Sequence, residues 1–172
     1  MSLIRVASIV KESVVDGPGF RTVVFMQGCP RECPGCHNPE QIPAEGGEEI
    51  TVDEVVRRVE SGLTKLTKGI TFSGGDPFFQ PAALYDVIKL LKKRNPQLDM
   101  WVYTGYWYEE IKELPVLELI DVLVDGPYVE TLRDISLPFM GSSNQRLIDV
   151  PSTRKAGQII DFNVSKKLNF SR

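Results

Sequence analysis

The chemically distinctive residues of this 172-residue chain are its three cysteines, which all fall within eight positions. Cys29, Cys33 and Cys36 have the spacing C-x3-C-x2-C in the segment GCPRECPGCHNPE. Three thiolates on one short loop suit a [4Fe–4S] cluster, although such a cluster normally takes four cysteine ligands. Because the chain has no fourth cysteine, one iron would stay open to water or a substrate. An iron with an open position is a reactive site.

Other uses of the three thiols fit the sequence less well. A disulfide would leave the third cysteine unpaired, and nothing in the sequence suggests secretion. Zinc requires four nitrogen or sulfur ligands, and the only histidine, His37, directly follows Cys36, where it is poorly placed to aim at the same ion. A zinc-stabilised interaction module and an iron–sulfur electron carrier remain the non-enzyme alternatives. A carrier, however, normally completes four protein ligands.

A second candidate element follows a predicted buried strand at residues 69–73. It reads Ser73-Gly74-Gly75-Asp76-Pro77. Paired glycines let a backbone approach a ligand closely, and the Asp76 carboxylate can accept a hydrogen bond from an ammonium group. By itself a Gly-Gly-Asp-Pro sequence is most often a turn. The motif becomes informative because the same chain also carries the cysteine loop.

Together these motifs resemble the radical S-adenosylmethionine superfamily, in which a C-x3-C-x2-C loop holds the cluster and a Gly-Gly-Glu/Asp strand end binds the methionyl ammonium. The segment DGPGFR at residues 16–21 and the pair His37-Asn38 are similar to one branch, the glycyl-radical-enzyme activases. Within that branch, the segments that resemble activators of anaerobic ribonucleoside-triphosphate reductase are WVYTGY at 101–106, DVLVDGPY at 121–128 and GSSNQRLIDV at 141–150.

The resemblance implies an oxidoreductase that cleaves S-adenosylmethionine reductively and forms a glycyl radical on a partner. That partner would be the large subunit of anaerobic ribonucleoside-triphosphate reductase, with a flavodoxin-like protein as electron donor. The alternatives within the enzyme class are activation of another glycyl radical enzyme, such as pyruvate formate-lyase, and a small radical cyclase. No catalytic residue is expected beyond the cluster and S-adenosylmethionine, because hydrogen-atom abstraction needs geometry rather than proton transfer.

The resemblance also assigns roles to individual positions. The metal ligands would be Cys29, Cys33 and Cys36; the cofactor-binding residues Ser73, Gly74, Gly75, Asp76, Thr104, His37 and Asn38; and the partner or substrate contacts Asp16, Gly17 and Arg21. For Asn144 and Arg146 the sequence leaves the role open between the nucleotide and the partner.

Two departures from the family pattern matter. Gly35 stands where many members place an aromatic residue beside the adenine. The strand end at Tyr103-Thr104 lacks the acidic residue that pyruvate formate-lyase activases use for a monovalent cation, so we expect no such cation here.

The elements that must position these residues alternate along the chain. Hydrophobic patterns predict strands at 4–10, 22–26, 69–73, 100–104 and 122–125, with strand-like pieces at 147–150 and 158–162, and helices at 52–61, 82–94 and 108–114. Such alternation favours right-handed βαβ units. We therefore predict an α/β fold in a single domain, residues 1–172, forming a partial, open parallel β/α barrel of about five or six strands. The cluster loop would lie at the carboxyl ends of the strands, where ligands bind in such sheets.

Composition limits the partners. A net charge of −3 argues against a general nucleic-acid binder. No apolar run approaches the length of a membrane span, and the N-terminus lacks a secretory apolar region. We expect a cytoplasmic protein with no membrane or nucleic-acid partner.

Overall fold

The computed structural model describes residues 2–165, in which seven strands form one open sheet. The strands are β1 (Leu3–Ser13), β2 (Phe20–Met26), β3 (Glu48–Thr51), β4 (Thr67–Gly74), β5 (Asp99–Tyr103), β6 (Val122–Asp125) and β7 (Arg146–Asp149). The α-helices are α1 (Val52–Ser61), α2 (Pro81–Arg94), α3 (Tyr108–Ile111) and α4 (Val150–Ala156). The strand order is β3-β1-β2-β4-β5-β6-β7.

The centre of the sheet is parallel and its edges are antiparallel. Strands β2, β4, β5 and β6 run in one direction, whereas β1, β3 and β7 pair antiparallel with their neighbours. The predicted α/β class and the open sheet are confirmed. The strand count exceeds the predicted five or six, because the short edge strand β3 adds to the predicted ones. The predicted strand at 158–162 is reduced to one isolated bridge between Ile148 and Asp161.

The helices α1, α2 and α3 begin close to their predicted bounds, whereas α4 lies where the sequence predicts no helix. The Thr51 hydroxyl accepts a hydrogen bond from the Glu54 backbone N–H at 3.1 Å and so caps α1. Pro81 occupies the first turn of α2, where its missing N–H costs no hydrogen bond. Only α3 is shorter than predicted, ending at Ile111. No helix in residues 2–165 is both long and apolar enough to cross a membrane.

The two faces of the sheet have different cores. Side chains such as Val24, Phe72 and Val102 pack against the apolar faces of α1 and α2 in the main core. Alternate residues point to the opposite face. There a smaller apolar cluster surrounds Trp101, whose ring meets those of Phe139 and Phe162 edge to face.

The carboxyl ends of the parallel strands meet at one edge. Met26 and Gly74, the last residues of β2 and β4, pair with each other. Tyr103, the last residue of β5, pairs with Val124, the penultimate residue of β6. The loops that follow β2, β4, β5 and β6 therefore converge, as the sequence predicts.

Candidate functional site

A cavity of about 450 Å³ lies where these loops converge. It is lined by most of the predicted site residues, namely Asp16, Cys29, Cys33, Cys36, His37, Asn38, Ser73, Gly74, Gly75, Asp76 and Thr104. Gly17 and Arg21 are not among its lining residues. The fold thus brings the cysteine loop, the Gly-Gly-Asp strand end and the end of β5 to one place.

The three cysteines face this cavity as free, partly buried thiols. Their loop is anchored by main-chain bonds from Cys29 N–H to the Ile42 carbonyl and from Cys36 N–H to the Cys33 carbonyl, both 3.0 Å. Among the described residues, no three His, Cys, Asp or Glu side chains are gathered to hold a single metal ion. A four-iron cluster does not require this, because it spreads three thiolates over three irons. The donor set therefore fits a [4Fe–4S] cluster with one iron free of protein.

Burial raises the pKa of the Cys29 thiol, and the nearby Asp76 carboxylate raises it further. The backbone N–H of Arg31 and the Arg31 charge act in the opposite direction. Metal binding requires the thiolate, so cluster assembly at Cys29 would release a proton.

Gly74, the last residue of β4, and Gly75, which follows it, bring this strand end against the cysteine loop. Gly75 N–H donates to the Met26 carbonyl at 2.9 Å, and Asp76 N–H donates to the Gly28 carbonyl at 2.8 Å. Gly74 has a left-handed φ of 111°, and a Cβ on it would overlap the Met26 backbone. The sequence predicts close approach to a ligand here. The structure adds that the glycines allow close approach to the protein's own backbone.

The Asp76 carboxylate accepts hydrogen bonds from four donors of the protein. Its side chain is 1% exposed. It accepts hydrogen bonds from Phe78 N–H at 3.0 Å, Thr104 Oγ1 at 2.9 Å, Gly105 N–H at 2.9 Å and Arg31 Nη1 at 2.9 Å. A carboxylate has about four acceptor positions, and these protein donors occupy them in this structure. The contact between Asp76 and an ammonium group stays a prediction. Burial raises the pKa of Asp76, and its donors oppose that rise.

Arg31 is a site residue that the sequence analysis misses. It stands between Cys29 and Cys33, lines the cavity, and lies over the Tyr106 ring with 4.1 Å from its guanidinium carbon to the ring centroid. Through Asp76 it fastens the cysteine loop to the ends of β4 and β5. A lone arginine between two ligands carries no sequence signal for such a bond.

The predicted partner contacts at residues 16–21 divide into two kinds. Asp16 lines the cavity, and its carboxylate accepts a hydrogen bond from Ser13 Oγ at 3.0 Å. Arg21 is fully buried, so it has no surface to offer a partner. Gly17 is buried as well, and a Cβ on it would meet the Arg21 side chain. The partner contact predicted for Gly17 and Arg21 is therefore replaced by packing inside the protein.

The remaining predicted residues have local partners. His37 lies beside Tyr128, with 5.1 Å between ring centroids, while Asn38 lines the cavity. Arg146 forms ion pairs with Asp125 and Glu109.

The segment at 141–145 shapes the cavity wall beside β6. Asn144 Nδ2 donates to the Pro127 carbonyl at 2.8 Å. Gln145, which the sequence analysis does not single out, lines the cavity and donates to the Gly126 carbonyl at 2.9 Å.

Comparisons with known proteins show the family of this chain. The family model described as a 4Fe-4S single cluster domain matches residues 15–148. The anaerobic ribonucleoside-triphosphate reductase-activating protein of Escherichia coli K12 is 39% identical over 140 residues, covering 77% of this chain and 90% of that protein. The protein of the same name from Enterobacteria phage T4 is 38% identical over 136 residues, covering 77% and 86%. The pyruvate formate-lyase-activating enzyme of Clostridium pasteurianum is 40% identical over 123 residues, covering 69% and 52%.

Proposed function

Because this chain belongs to the 4Fe-4S single cluster domain family, among the radical S-adenosylmethionine activases of glycyl radical enzymes, we propose that it activates an anaerobic ribonucleoside-triphosphate reductase. The observation that carries the proposal is the cavity in which three free cysteines face the Gly-Gly-Asp strand end. The partner would be the large subunit of the reductase, and the electron donor a flavodoxin-like protein.

In this proposal Cys29, Cys33 and Cys36 hold three irons, and the fourth iron stays open for S-adenosylmethionine. The bound cluster would supply the electron that cleaves the sulfonium–C5′ bond. The protein's own contribution is position and shelter. The backbone at Gly74 and Gly75 forms one wall of the cavity, and apolar side chains from the segment at 137–140, including Phe139 and Met140, form part of another. Such a wall keeps water from a reactive species.

Activation of pyruvate formate-lyase is the second candidate, because one of the matched relatives carries that name. Chain coverage favours the reductase. The chain spans 90% of the Escherichia coli reductase-activating protein but 52% of the pyruvate formate-lyase-activating enzyme. A match that accounts for nearly the whole relative is the better guide to the partner.

The test is an anaerobic reconstitution with iron, sulfide, S-adenosylmethionine and reductant, followed by addition of the reductase large subunit. We expect 5′-deoxyadenosine by chromatography and a glycyl radical by electron paramagnetic resonance. Pyruvate formate-lyase is tested in parallel as the competing target, and reduced flavodoxin replaces the chemical reductant in a third arm.

The outcomes separate the candidates. Cofactor cleavage without a radical on the reductase would reject this partner. A radical on pyruvate formate-lyase alone would transfer the assignment to that enzyme. Absence of 5′-deoxyadenosine from protein that has bound its cluster would reject the activity itself.

A further inference from the structure

We propose that Thr71 and Arg21 form a buried relay that fixes the loop at residues 14–19 on the cavity rim, and that the pair serves delivery of the radical to the partner rather than its generation. The inference rests on the proposed function, since it assigns these two positioning residues to the step that involves the partner. The loop concerned carries Asp16, the predicted partner contact that does line the cavity.

The hydrogen bonds of the relay have a forced direction. Arg21 Nε lies 2.8 Å from Thr71 Oγ1, and Thr71 Oγ1 lies 2.8 Å from the Asp16 carbonyl oxygen. A guanidinium can only donate, so the hydroxyl must accept from Arg21. Its single hydrogen is then left for the Asp16 carbonyl. The hydroxyl is thereby used on both sides, and neither bond can form without it.

Arg21 is itself held on several sides. It is 0% exposed, pairs with Asp99, and donates to the Ile70 carbonyl at 3.3 Å. It also donates to the Pro18 carbonyl at 3.2 Å, which gives the loop a second attachment. Its guanidinium carbon lies 5.4 Å from the Trp101 ring centroid. An arginine held by this many contacts is a fixed attachment point for the loop at residues 14–19.

The other side-chain hydrogen bonds of the loop are local. Ser13, the last residue of β1, donates through its hydroxyl to the Asp16 carboxylate at 3.0 Å and accepts from the Val15 N–H at 3.5 Å. Gly17 and Gly19 have φ values of 137° and 73°, a region that glycine enters readily, so the backbone here is inherently free. Val14 and Val15 are 58% and 72% exposed and contribute little apolar anchoring. The bonds from Thr71 and Arg21 therefore attach the backbone of the loop, at the Asp16 and Pro18 carbonyls, to the two central strands β2 and β4.

The relay is separate from the contacts that hold the cluster loop. Thr71 lies in the middle of β4, two residues before Ser73, which lines the cavity, and neither Thr71 nor Arg21 lines it. Loss of the relay should release the Asp16 loop while the cysteine loop and the Gly-Gly-Asp strand end keep their bonds. Cofactor cleavage and radical delivery should then separate.

The experiment compares Thr71→Val, which is nearly isosteric but cannot hydrogen-bond, with Thr71→Ser, which keeps the hydroxyl. Thr22→Val is the matched control, because Thr22 is a buried threonine on the neighbouring strand and its hydroxyl has no partner among the described residues. For Thr71→Val we expect 5′-deoxyadenosine formation without the reductase at the wild-type rate. We expect the KM for the reductase in glycyl-radical formation to rise roughly fivefold to tenfold. Thr71→Ser and Thr22→Val should behave as wild type.

Hydrogen exchange of the cluster-free protein gives a readout that needs neither partner nor cofactor. Amides of residues 14–19 should exchange faster in Thr71→Val, and those of residues 29–36 should not. Equal exchange at 14–19 in Thr71→Val and wild type would overturn the relay. Cofactor cleavage that falls in proportion to radical yield would also overturn it, because the defect would then lie in the whole site. If wild-type protein cleaves the cofactor but forms no radical on the reductase, the proposed partner fails, while the exchange measurement still decides whether the relay exists.

Discussion

Replacing Gly75 with alanine should disturb the cysteine loop before any ligand is present. A Cβ at this position would lie 2.6 Å from the Gln41 carbonyl oxygen and closer still to that of Gly28. Both atoms belong to the backbone at the two ends of the cysteine loop, joined by the bond from Gly28 N–H to the Gln41 carbonyl. Backbone atoms cannot rotate away as a side chain can. The Gly75 φ lies outside the left-handed region, so the penalty is steric.

The expected change in the free energy of unfolding of Gly75→Ala follows from two opposing effects. Overpacking of this kind costs about 1–3 kcal/mol, while replacing glycine by alanine restricts the unfolded chain and returns about 0.4–1 kcal/mol. From the middle of each range the net loss is about 1.3 kcal/mol, which for a protein of this size lowers Tm by about 3–5 °C. The assay is thermal unfolding of the cluster-free protein, with iron and sulfide content measured after anaerobic reconstitution. Both the Tm and the iron content should fall.

Gly62→Ala is the matched control. Gly62 has an ordinary φ of −98°, and its added Cβ would meet only atoms of the flexible Lys11 side chain. The Gly62→Ala protein should have the wild-type Tm or a slightly higher one, and it should bind the full amount of iron. The reasoning is refuted if Gly75→Ala keeps the wild-type Tm and iron content and loses only affinity for S-adenosylmethionine. That result would give the glycine a role toward the ligand alone.

Four further changes have defined outcomes. Cys33→Ala should bind fewer than about four irons per chain and form no 5′-deoxyadenosine, since the chain has no spare thiol; retained cleavage would contradict the ligand assignment. Asp76→Asn should lower the free energy of unfolding by about 1–3 kcal/mol in urea titration, because an amide cannot accept from all four donors; an unchanged value would show that Arg31 and the other donors find new partners. Asp16→Asn should preserve cofactor cleavage and lower glycyl-radical yield roughly tenfold to a hundredfold at limiting reductase; equal loss of both would place Asp16 in the cofactor site. Two arginines of α1 lower the pKa of Glu54 from 4.5 to about 2, so its stabilising effect is present above about 4.5 and lost as the pH falls towards 2; the Tm difference between wild type and Glu54→Gln should shrink over that range, and a constant difference would contradict this assignment.

The sequence predicts those helices and strands whose repeat of apolar and polar side chains is visible within the element itself. Strand β6 has its predicted bounds, and α2 begins within one residue of its prediction. Strand β3, with the sequence EEIT, escapes detection because it is a short, polar edge strand whose only neighbour is β1. The helix α4 follows β7 directly, so its first residue, Val150, is read as the end of a strand.

The candidate site likewise contains residues that a local pattern predicts and residues that it does not. The three cysteines are recognisable because all of them lie on one loop, and the ligand spacing is itself the signal. The function of Asp76 is harder to predict, since its donors come from three separate segments. Arg31 lies 45 residues away in the chain, and Thr104 and Gly105 lie 28 and 29 residues away. A carboxylate beside two glycines looks available to a ligand until those donors are in place.

Arg21 illustrates most clearly what a local sequence pattern leaves out. Arg21 occurs in a sequence motif that the resemblance connects with the partner, yet its bonds reach Thr71 and Asp99, which lie 50 and 78 residues further along the chain. Its guanidinium lies beside Trp101 of the smaller apolar cluster, a neighbour 80 residues away that no local pattern around Arg21 predicts. A conspicuous charged residue in a motif can therefore act through the residue that it positions. Here that residue is Asp16, whose backbone is attached to Arg21 through a single hydroxyl, so the motif is better understood as a loop and its support than as a row of separate contacts.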